Sequence, residues 1–425
     1  MRISMKTRVL IAAHPTVGHV TALTTIGRRL RADGADVRFA IVSMRAPDLP
    51  LLEAIKTAQR LPRAIEAAGL RVVPLPLHPS LLAYAVVMPR TAGAVEVWLA
   101  GRAMTSGAAG YVRSLEAELD REPADVIVAD FAFVAAGLVA ERRGVPFVSF
   151  YHSGLPFPVG GEHPFTNGAA LSRAVDARVA RVRKALGMPP ARPGLLDRPC
   201  SPDLNLLATA PALEGRALEY GPTTRCVGSC VDGRVEDDAS TFPFDRLRPE
   251  ASKVYVSLGT VFNGRPDRFR ALIEGLRAPG VQLVVSAGGS FSALAGMAGP
   301  DVMVFQRVPQ LAVLRGVDYV VSHGGNNTVN ETLSAGRPLL VLPIGGEQEA
   351  NAERVVRVGA GMALDRRRLS PSHVRAAFNA LCTDARYGLR AREIAEELKD
   401  LRGAEEAARL IAALAFERQG ATSRG

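Results

Sequence analysis

The residues best suited to chemistry crowd into one stretch, Asp318 to Ala352, which reads DYVVSHGGNNTVNETLSAGRPLLVLPIGGEQEANA. It offers an imidazole at His323, glycines at Gly324 and Gly325, and amides at Asn326 and Asn327. Thr328 and Glu331 follow, then Glu347, Gln348 and Asn351. Such a set suits an anionic, hydroxyl-bearing ligand. A glycine loop between a strand and a helix turns bare N–H groups and the positive end of a helix dipole toward one spot, which favours phosphate. The glycines allow close backbone approach. No Gly-Lys-Ser/Thr follows, so this is not a Walker loop, and it is not the dinucleotide G-x-G-x-x-G either. Thr328-x-x-Glu331 also has the form of a helix capping box.

The elements that must hold these groups are legible. Tyr319 to Ser322 is an apolar run of strand length, a helix of about two turns is expected from Val329 to Ala335 with Gly336 as its stop, and Leu339 to Ile344 is the next strand. The same alternation fills the chain. Residues 7–13 form a first strand, 14–19 a turn, and Val20 to about Ala32 a helix with Leu23, Ile26 and Leu30 at helical spacing. Strands follow at Asp36–Val42, Arg71–Leu75, Asp125–Asp130 and Phe147–Tyr151. A second series starts at Lys253–Thr260 and continues at Val281–Ala287 and Val302–Val308, with a helix opening at Pro309-Gln310. Helices near 370–383, 387–400 and 403–417 close the chain. This pattern predicts an α/β architecture of doubly wound parallel sheets, which bind ligands at the carboxyl ends of their strands.

The expected organisation is an N-terminal domain over 1–231, a linker over 232–250, a C-terminal domain over 251–402 and a final helix and tail over 403–425. The linker rests on DGRVEDDASTFPFDRLRPE, acidic, polar and without periodicity. Residues 76–104 and 151–168 read as long irregular connections at strand ends, where ligand contacts concentrate. Trp98, Tyr84, His152 and Phe157 are therefore candidates for contact with an apolar substrate.

Composition excludes several classes. With 48% hydrophobic and 22% charged residues, the chain can bury large cores. The net charge of +10 comes from single arginines scattered on helix faces, with no basic stripe interleaved with aromatics, so no nucleic-acid partner is expected. Cys200, Cys226, Cys230 and Cys382 have neither redox nor zinc spacing and read as free thiols. No signal peptide and no apolar run of membrane-spanning length are evident, so a cytoplasmic protein without stable membrane insertion is expected. Nor is there an Asp-x-Asp at a strand end or a His/Cys cluster, so no metal is expected.

The spacing His323-x-Gly325-x-Asn327-Thr328-x-x-Glu331, followed by Pro343-x-x-x-Glu347-Gln348-x-x-Asn351, resembles the donor-binding signature of family 1 glycosyltransferases. These are nucleotide-sugar enzymes of the GT-B fold, the bacterial natural-product type among them. The resemblance implies two Rossmann-like domains facing across a cleft, with the C-terminal helix returning to the N-terminal domain. It places His323 and Thr328 on a diphosphate, with backbone amides near Gly325 and Asn327. It places Glu331 on ribose hydroxyls, and Glu347 and Gln348 on the sugar. Ser257, Gly259 and Thr260 match the segment facing the diphosphate from the other side. Arg307, Val308 and Gln310 match the segment that packs on the base, with Arg307 in place of the tryptophan of plant relatives. Glu347 stands where relatives usually carry Asp.

The same resemblance makes His19, after the first strand, the general base and Asp130 its orienting carboxylate, with His14 a competitor. What it implies is inverting transfer from a UDP- or dTDP-sugar to a hydroxyl of a small apolar acceptor. The nucleotide-sugar would be a co-substrate, no cofactor would be needed, and the protein would be a monomer or homodimer. Two enzymes of the same architecture compete with this reading, a nucleotide-sugar 2-epimerase and a lipid-linked cell-wall transferase. A binding module without turnover would need no His19–Asp130 pair.

Overall fold

The computed structural model describes residues 7–43, 53–79, 81, 94–152, 168–191, 194, 200–215, 221–230, 242–259, 263–345 and 347–422. The chain divides into two units, Met1–Asp232 with Leu401–Gly425, and Gly233–Asp400.

In the first unit, a seven-stranded sheet is built from β1 (Arg8–Ala13), β2 (Asp36–Ser43), β3 (Arg71–Pro76), β4 (Val126–Asp130), β5 (Phe147–Tyr151), β6 (Leu204–Leu207) and β7 (Thr224–Cys226), in the order β3-β2-β1-β4-β5-β6-β7. Every pairing is parallel. The continuous apolar strands reflect burial on both faces. Val9 and Ile11 join one core while Leu10 and Ala12 join the other, and Val128 and Ile127 divide in the same way. Helices α1 (Val17–Ala32), α2 (Glu53–Ala67), α3 (Ala94–Thr105), α4 (Ala108–Arg121), α5 (Val134–Arg143) and α6 (Gly168–Ala185) accompany the strands. Trp98, expected in an irregular connection, lies instead on α3, half exposed, with Arg102 4.8 Å from its ring centre. The expected strand set lacked β6 and β7; Thr224-Arg225-Cys226 carries no apolar pattern that could have marked it.

The second unit has a six-stranded parallel sheet from β8 (Ser252–Ser257), β9 (Val281–Ser286), β10 (Val302–Phe305), β11 (Tyr319–Ser322), β12 (Leu339–Val341) and β13 (Gly361–Ala363), in the order β10-β9-β8-β11-β12-β13. Its helices are α7 (Pro266–Leu276), α8 (Gln310–Gly316), α9 (Asn326–Ser334), α10 (Gln348–Arg357), α11 (Pro371–Thr383) and α12 (Ala385–Asp400). Val254 and Val256 face one core, Tyr255 the other. Phe242, within the stretch read as a solvated linker, is buried against Phe244 and Phe305.

The last helix, α13 (Ala404–Thr422), belongs to the first unit and packs on α1. Ala407, Ala408, Ile411 and Ala415 are fully buried there. Burying a side chain such as Ile411 contributes roughly 1.5–3 kcal/mol.

Both sheets reverse their winding direction beside their first strand. β1 lies between β2 and β4, and β8 between β9 and β11. In open parallel sheets the crevice at such a reversal, outside the carboxyl ends of the strands, is where ligands bind. The chain segments leaving β1, β4, β8 and β11 are those that carry His19, Asp130, Gly259 and His323.

Candidate active site

In the first unit the cluster grows from three strand ends. Asp130 is the last residue of β4 and is fully buried, with Oδ1 accepting a 2.9 Å hydrogen bond from the Ala132 amide. His19 is in the first turn of α1, which begins at Val17, three residues earlier than the sequence suggested. His19 Nδ1 stands 3.0 Å from Asp130 Oδ2. That distance fits an ion pair, but His19 Nδ1 lacks the alignment of a hydrogen bond. The aligned bond comes from His152, just after β5, whose Nδ1 meets the same Oδ2 at 3.2 Å. The two imidazoles stack, 3.7 Å between ring centres and 30° between planes. One carboxylate oxygen thus sits between two ring planes.

Burial alone would push the Asp130 carboxyl up. The charge of His19, with the hydrogen bond and charge of His152, outweighs it and holds Asp130 well below the usual carboxylate range. The rival His14 makes no such contact. It packs edge-on against Phe133 at 4.9 Å, and neither ring nitrogen has an aligned partner among the described residues. Burial lowers its pKa to about 4, so it stays neutral. The His19, Asp130 and His152 ligand atoms lie within 4.8 Å of one another. Stacked rings, however, aim their lone pairs along nearly parallel planes, not at one point, so this arrangement suits a shared carboxylate better than a metal ion.

His152, expected as a substrate contact, is therefore placed on Asp130 and is 8% exposed. The sequence marks it as a strand-end residue, but that β5 lies beside β4 comes from the sheet order. Trp98 is described above. Tyr84 and Phe157 lie outside the described residues.

In the second unit α9 begins at Asn326, again three residues earlier than expected, and its N-cap is Gly325. Thr328 is consequently inside the first turn, and the capping-box alternative for Thr328 and Glu331 does not hold. Gly325 has no side chain to cap with, which leaves the helix end to its amides. His323 sits between two glycines. A Cβ on Gly259 would fall 2.4 Å from His323 Nε2, and one on Gly325 2.5 Å from it. Gly259 also has φ +72, a conformation that favours glycine. Ser257 Oγ accepts from the Gly259 amide at 3.4 Å, and Asn263 Nδ2 donates to the Gly259 carbonyl at 2.6 Å. Thr260 lies outside the described residues. Burial lowers the His323 pKa to about 4, and its Nδ1 has no hydrogen-bond partner among the described residues.

Glu331, 2% exposed, is fixed by a chain that begins at β8. The Tyr255 hydroxyl donates to Gln310 Oε1 at 2.9 Å, and Gln310 Nε2 donates to Glu331 Oε2. Tyr255 was missed in the sequence, although a phenol inside an otherwise aliphatic strand is the kind of residue that needs a partner. Arg307 is exposed beside Val308, which packs on the Phe242 cluster. Gln348 accepts from the amides of Ile344 (2.8 Å) and Gly345 (3.2 Å), so its carbonyl oxygen shapes the loop and its NH₂ end is what it can turn to a ligand. Glu347 is half-buried at the start of α10. Asn351 Nδ2 donates to the Gly324 carbonyl at 2.8 Å and to Asn326 Oδ1, tying α10 to the His323 turn.

Two Rossmann-like parallel-sheet units carrying these clusters define a glycosyltransferase of the GT-B fold. Residues 246–400 match the model of the family described as UDP-glucoronosyl and UDP-glucosyl transferase. The 4'-demethylrebeccamycin synthase of Lentzea aerocolonigenes is 29% identical, covering 92% of this chain and 96% of its own length. Among solved structures, the glycotransferase of kitacinnamycin superposes with a TM-score of 0.75 at 24% identity, covering 96% of this chain and 99% of that one. A spinosyn rhamnosyltransferase complexed with thymidine diphosphate superposes at 0.67 and 17% identity, covering 93% and 96%. No helix among the described residues is long and apolar enough to cross a membrane.

Proposed function

We propose that this glycosyltransferase moves a sugar from a UDP- or dTDP-sugar to a hydroxyl of a small, largely apolar natural-product acceptor, with inversion at the anomeric carbon. The observation that carries the reading is the 3.0 Å approach of His19 Nδ1 to Asp130 Oδ2 at the β1/β4 reversal. Nδ1 faces the carboxylate, so the acceptor proton goes to Nε2. A buried carboxylate orients the imidazole and balances the imidazolium that forms. As the proton leaves, the acceptor oxygen forms a bond to the anomeric carbon. The bond from that carbon to the diphosphate breaks on the opposite face, and the nucleoside diphosphate departs with the electron pair.

His323, Thr328 and the first-turn amides of α9 would take the charge that develops on the diphosphate. Donors organised in advance are worth most where charge appears in the transition state. Glu331, steadied through Gln310 and Tyr255, would accept from ribose hydroxyls. Glu347 and the Gln348 NH₂ group would meet the sugar, and Ser257, Gly259 and Thr260 would face the diphosphate. Arg307 would lie on the base through its planar guanidinium. Relatives named demethyllactenocin mycarosyltransferase and oleandomycin glycosyltransferase support a natural-product acceptor and do not favour an epimerase.

The test is incubation with UDP- and dTDP-sugars and a panel of phenolic, macrolide and sterol acceptors, followed by mass spectrometry and NMR. A hexose or deoxyhexose mass gain with an inverted anomeric centre is expected. An isomerised donor without acceptor, or retained configuration, overturns the reading.

A further inference from the structure

The base reading has one carboxylate serving one imidazole, but Asp130 serves two. His152 is more buried than His19 and makes the better aligned bond to the shared Oδ2. It also stacks face to face on the ring that would receive the acceptor proton, 3.7 Å away. A spectator residue at that position would be expected to be an amide or an aliphatic side chain. An imidazole there can itself hold a proton, and it then stands as a like charge against His19.

We infer that His152 is a positioning residue that shares Asp130 with His19, so that the three groups take up a single proton as one unit and resist a second. This rests on the reading of His19 as the base. With both rings neutral the unit carries one negative charge. The acceptor proton brings it to zero, the most favourable charge for a buried cluster. If the unit already holds a proton, on either ring, taking the acceptor proton would place two imidazolium rings in stacking contact with a single counter-charge between them. His152 therefore sets the pH below which His19 stops working.

The other groups facing the cluster do not change this arithmetic. His14, at the end of β1, is kept neutral by burial down to about pH 4. Phe131 covers the outer side of His152 with its ring centre 6.0 Å away. Tyr151, next to His152 in sequence, points its hydroxyl to Asn205 Oδ1 and the Cys200 amide, and burial holds that hydroxyl protonated.

Interacting sites titrate in macroscopic steps that belong to the pair. In the intact chain labelled at the histidine rings, NMR should therefore show the His19 and His152 signals moving together in two steps separated by more than about one pH unit. In His152→Asn, whose amide keeps a donor near the Nδ1 position, His19 should titrate in one step. His19→Asn should do the same to His152, which covers the case in which the first variant fails to fold. Two single-step curves in the parent, each with a midpoint unmoved by loss of the other ring, would overturn the inference. The same variant has a kinetic signature. The acid limb of kcat/KM should steepen to a slope of two in the parent, because two protons must leave, and should keep a slope of one in His152→Asn. A loss of rate with an unchanged slope would mean that His152 is merely structural. The NMR titration needs no turnover, so it can fail while His19 remains the base, and His19→Ala can retain full activity while the coupling stands.

Discussion

His19 and His323 are both imidazoles near the start of a helix, yet their surroundings prepare them for different work. His19 has a buried carboxylate 3.0 Å away, which favours the charged form after it accepts a proton. His323 has no carboxylate partner among the described residues and is kept neutral by burial, wedged between Gly259 and Gly325. The first suits proton transfer and the second suits hydrogen bonding to a fixed anion. General-base catalysis contributes ~10²–10⁴-fold, so His19→Ala should lose about that much on an aliphatic alcohol and less on an acidic phenol. Full activity on the alcohol would remove His19 from the mechanism. Glu331 makes a separate expectation. With the capping role gone, the proposed function gives this buried carboxylate the ribose hydroxyls to bind. Glu331→Ala should weaken UDP or dTDP binding by roughly 1.5–3 kcal/mol in calorimetry, the worth of a charged hydrogen bond. Unchanged affinity would make the Tyr255–Gln310–Glu331 chain purely structural.

At the scale of elements, both helices that carry candidate site residues start three residues earlier than their sequence patterns indicate. α1 takes in Val17-Gly18-His19 and α9 takes in Asn326-Asn327-Thr328. Glycine, asparagine and β-branched residues have weak helix propensity, so these first turns read as loop. What holds them helical is packing: Asn351 ties α10 to the turn before α9. The same reason explains what was legible elsewhere. β1, β4, β8 and β11 stand out because double-sided burial makes each a continuous apolar run of strand length. The ends of those strands, and hence His19, Asp130, Gly259 and His323, could be placed on sheet edges from sequence. The His152 contact could not, because it depends on which strands neighbour each other. An early helix start has a consequence for the anion site. If α9 amides and His323 carry the leaving diphosphate, turnover should survive EDTA; collapse on chelation with rescue by Mg²⁺ or Mn²⁺ would contradict this assignment. Gly325→Ala tests the cradle. Its φ of −63 tolerates alanine, but the new Cβ would meet His323 Nε2 at 2.5 Å and push the ring aside. Misplacement of about 1 Å can cost ~10²-fold, so kcat/KM for the donor should fall by about that order while the melting temperature changes little. Retained donor kinetics would show that His323 does not need its place.

For the whole molecule, acid stability follows from two histidines, one in each unit. His14 and His323 ordinarily titrate near 6.5 but are lowered to about 4 in the folded chain, in both cases chiefly by burial. Between these values the unfolded chain binds protons that the folded chain refuses, so stability must fall as pH drops from about 6.5 to about 4, and must not rise. A midpoint displaced by one pH unit corresponds to about 1.4 kcal/mol, which makes each histidine worth a few kcal/mol at most. His323 keeps a partly accessible edge, and water there relieves part of its penalty. His14, with no aligned partner and 8% exposure, should show nearly the full effect. Asp130 acts lower on the scale. Its folded pKa is depressed, so its contribution is intact above the ordinary carboxylate value and is lost only below it. With two units, unfolding need not be a single transition, so calorimetry across pH 7.5 to 4.5 is the measurement of choice. The transition of the first unit should move down on acidification, and His14→Leu, which removes the titrating ring but keeps an apolar plug beside Phe133, should flatten that slope. Adding UDP or dTDP should raise the transition of the second unit alone. An unchanged pH slope in His14→Leu would show that His14 is not held neutral at the cost of acid stability.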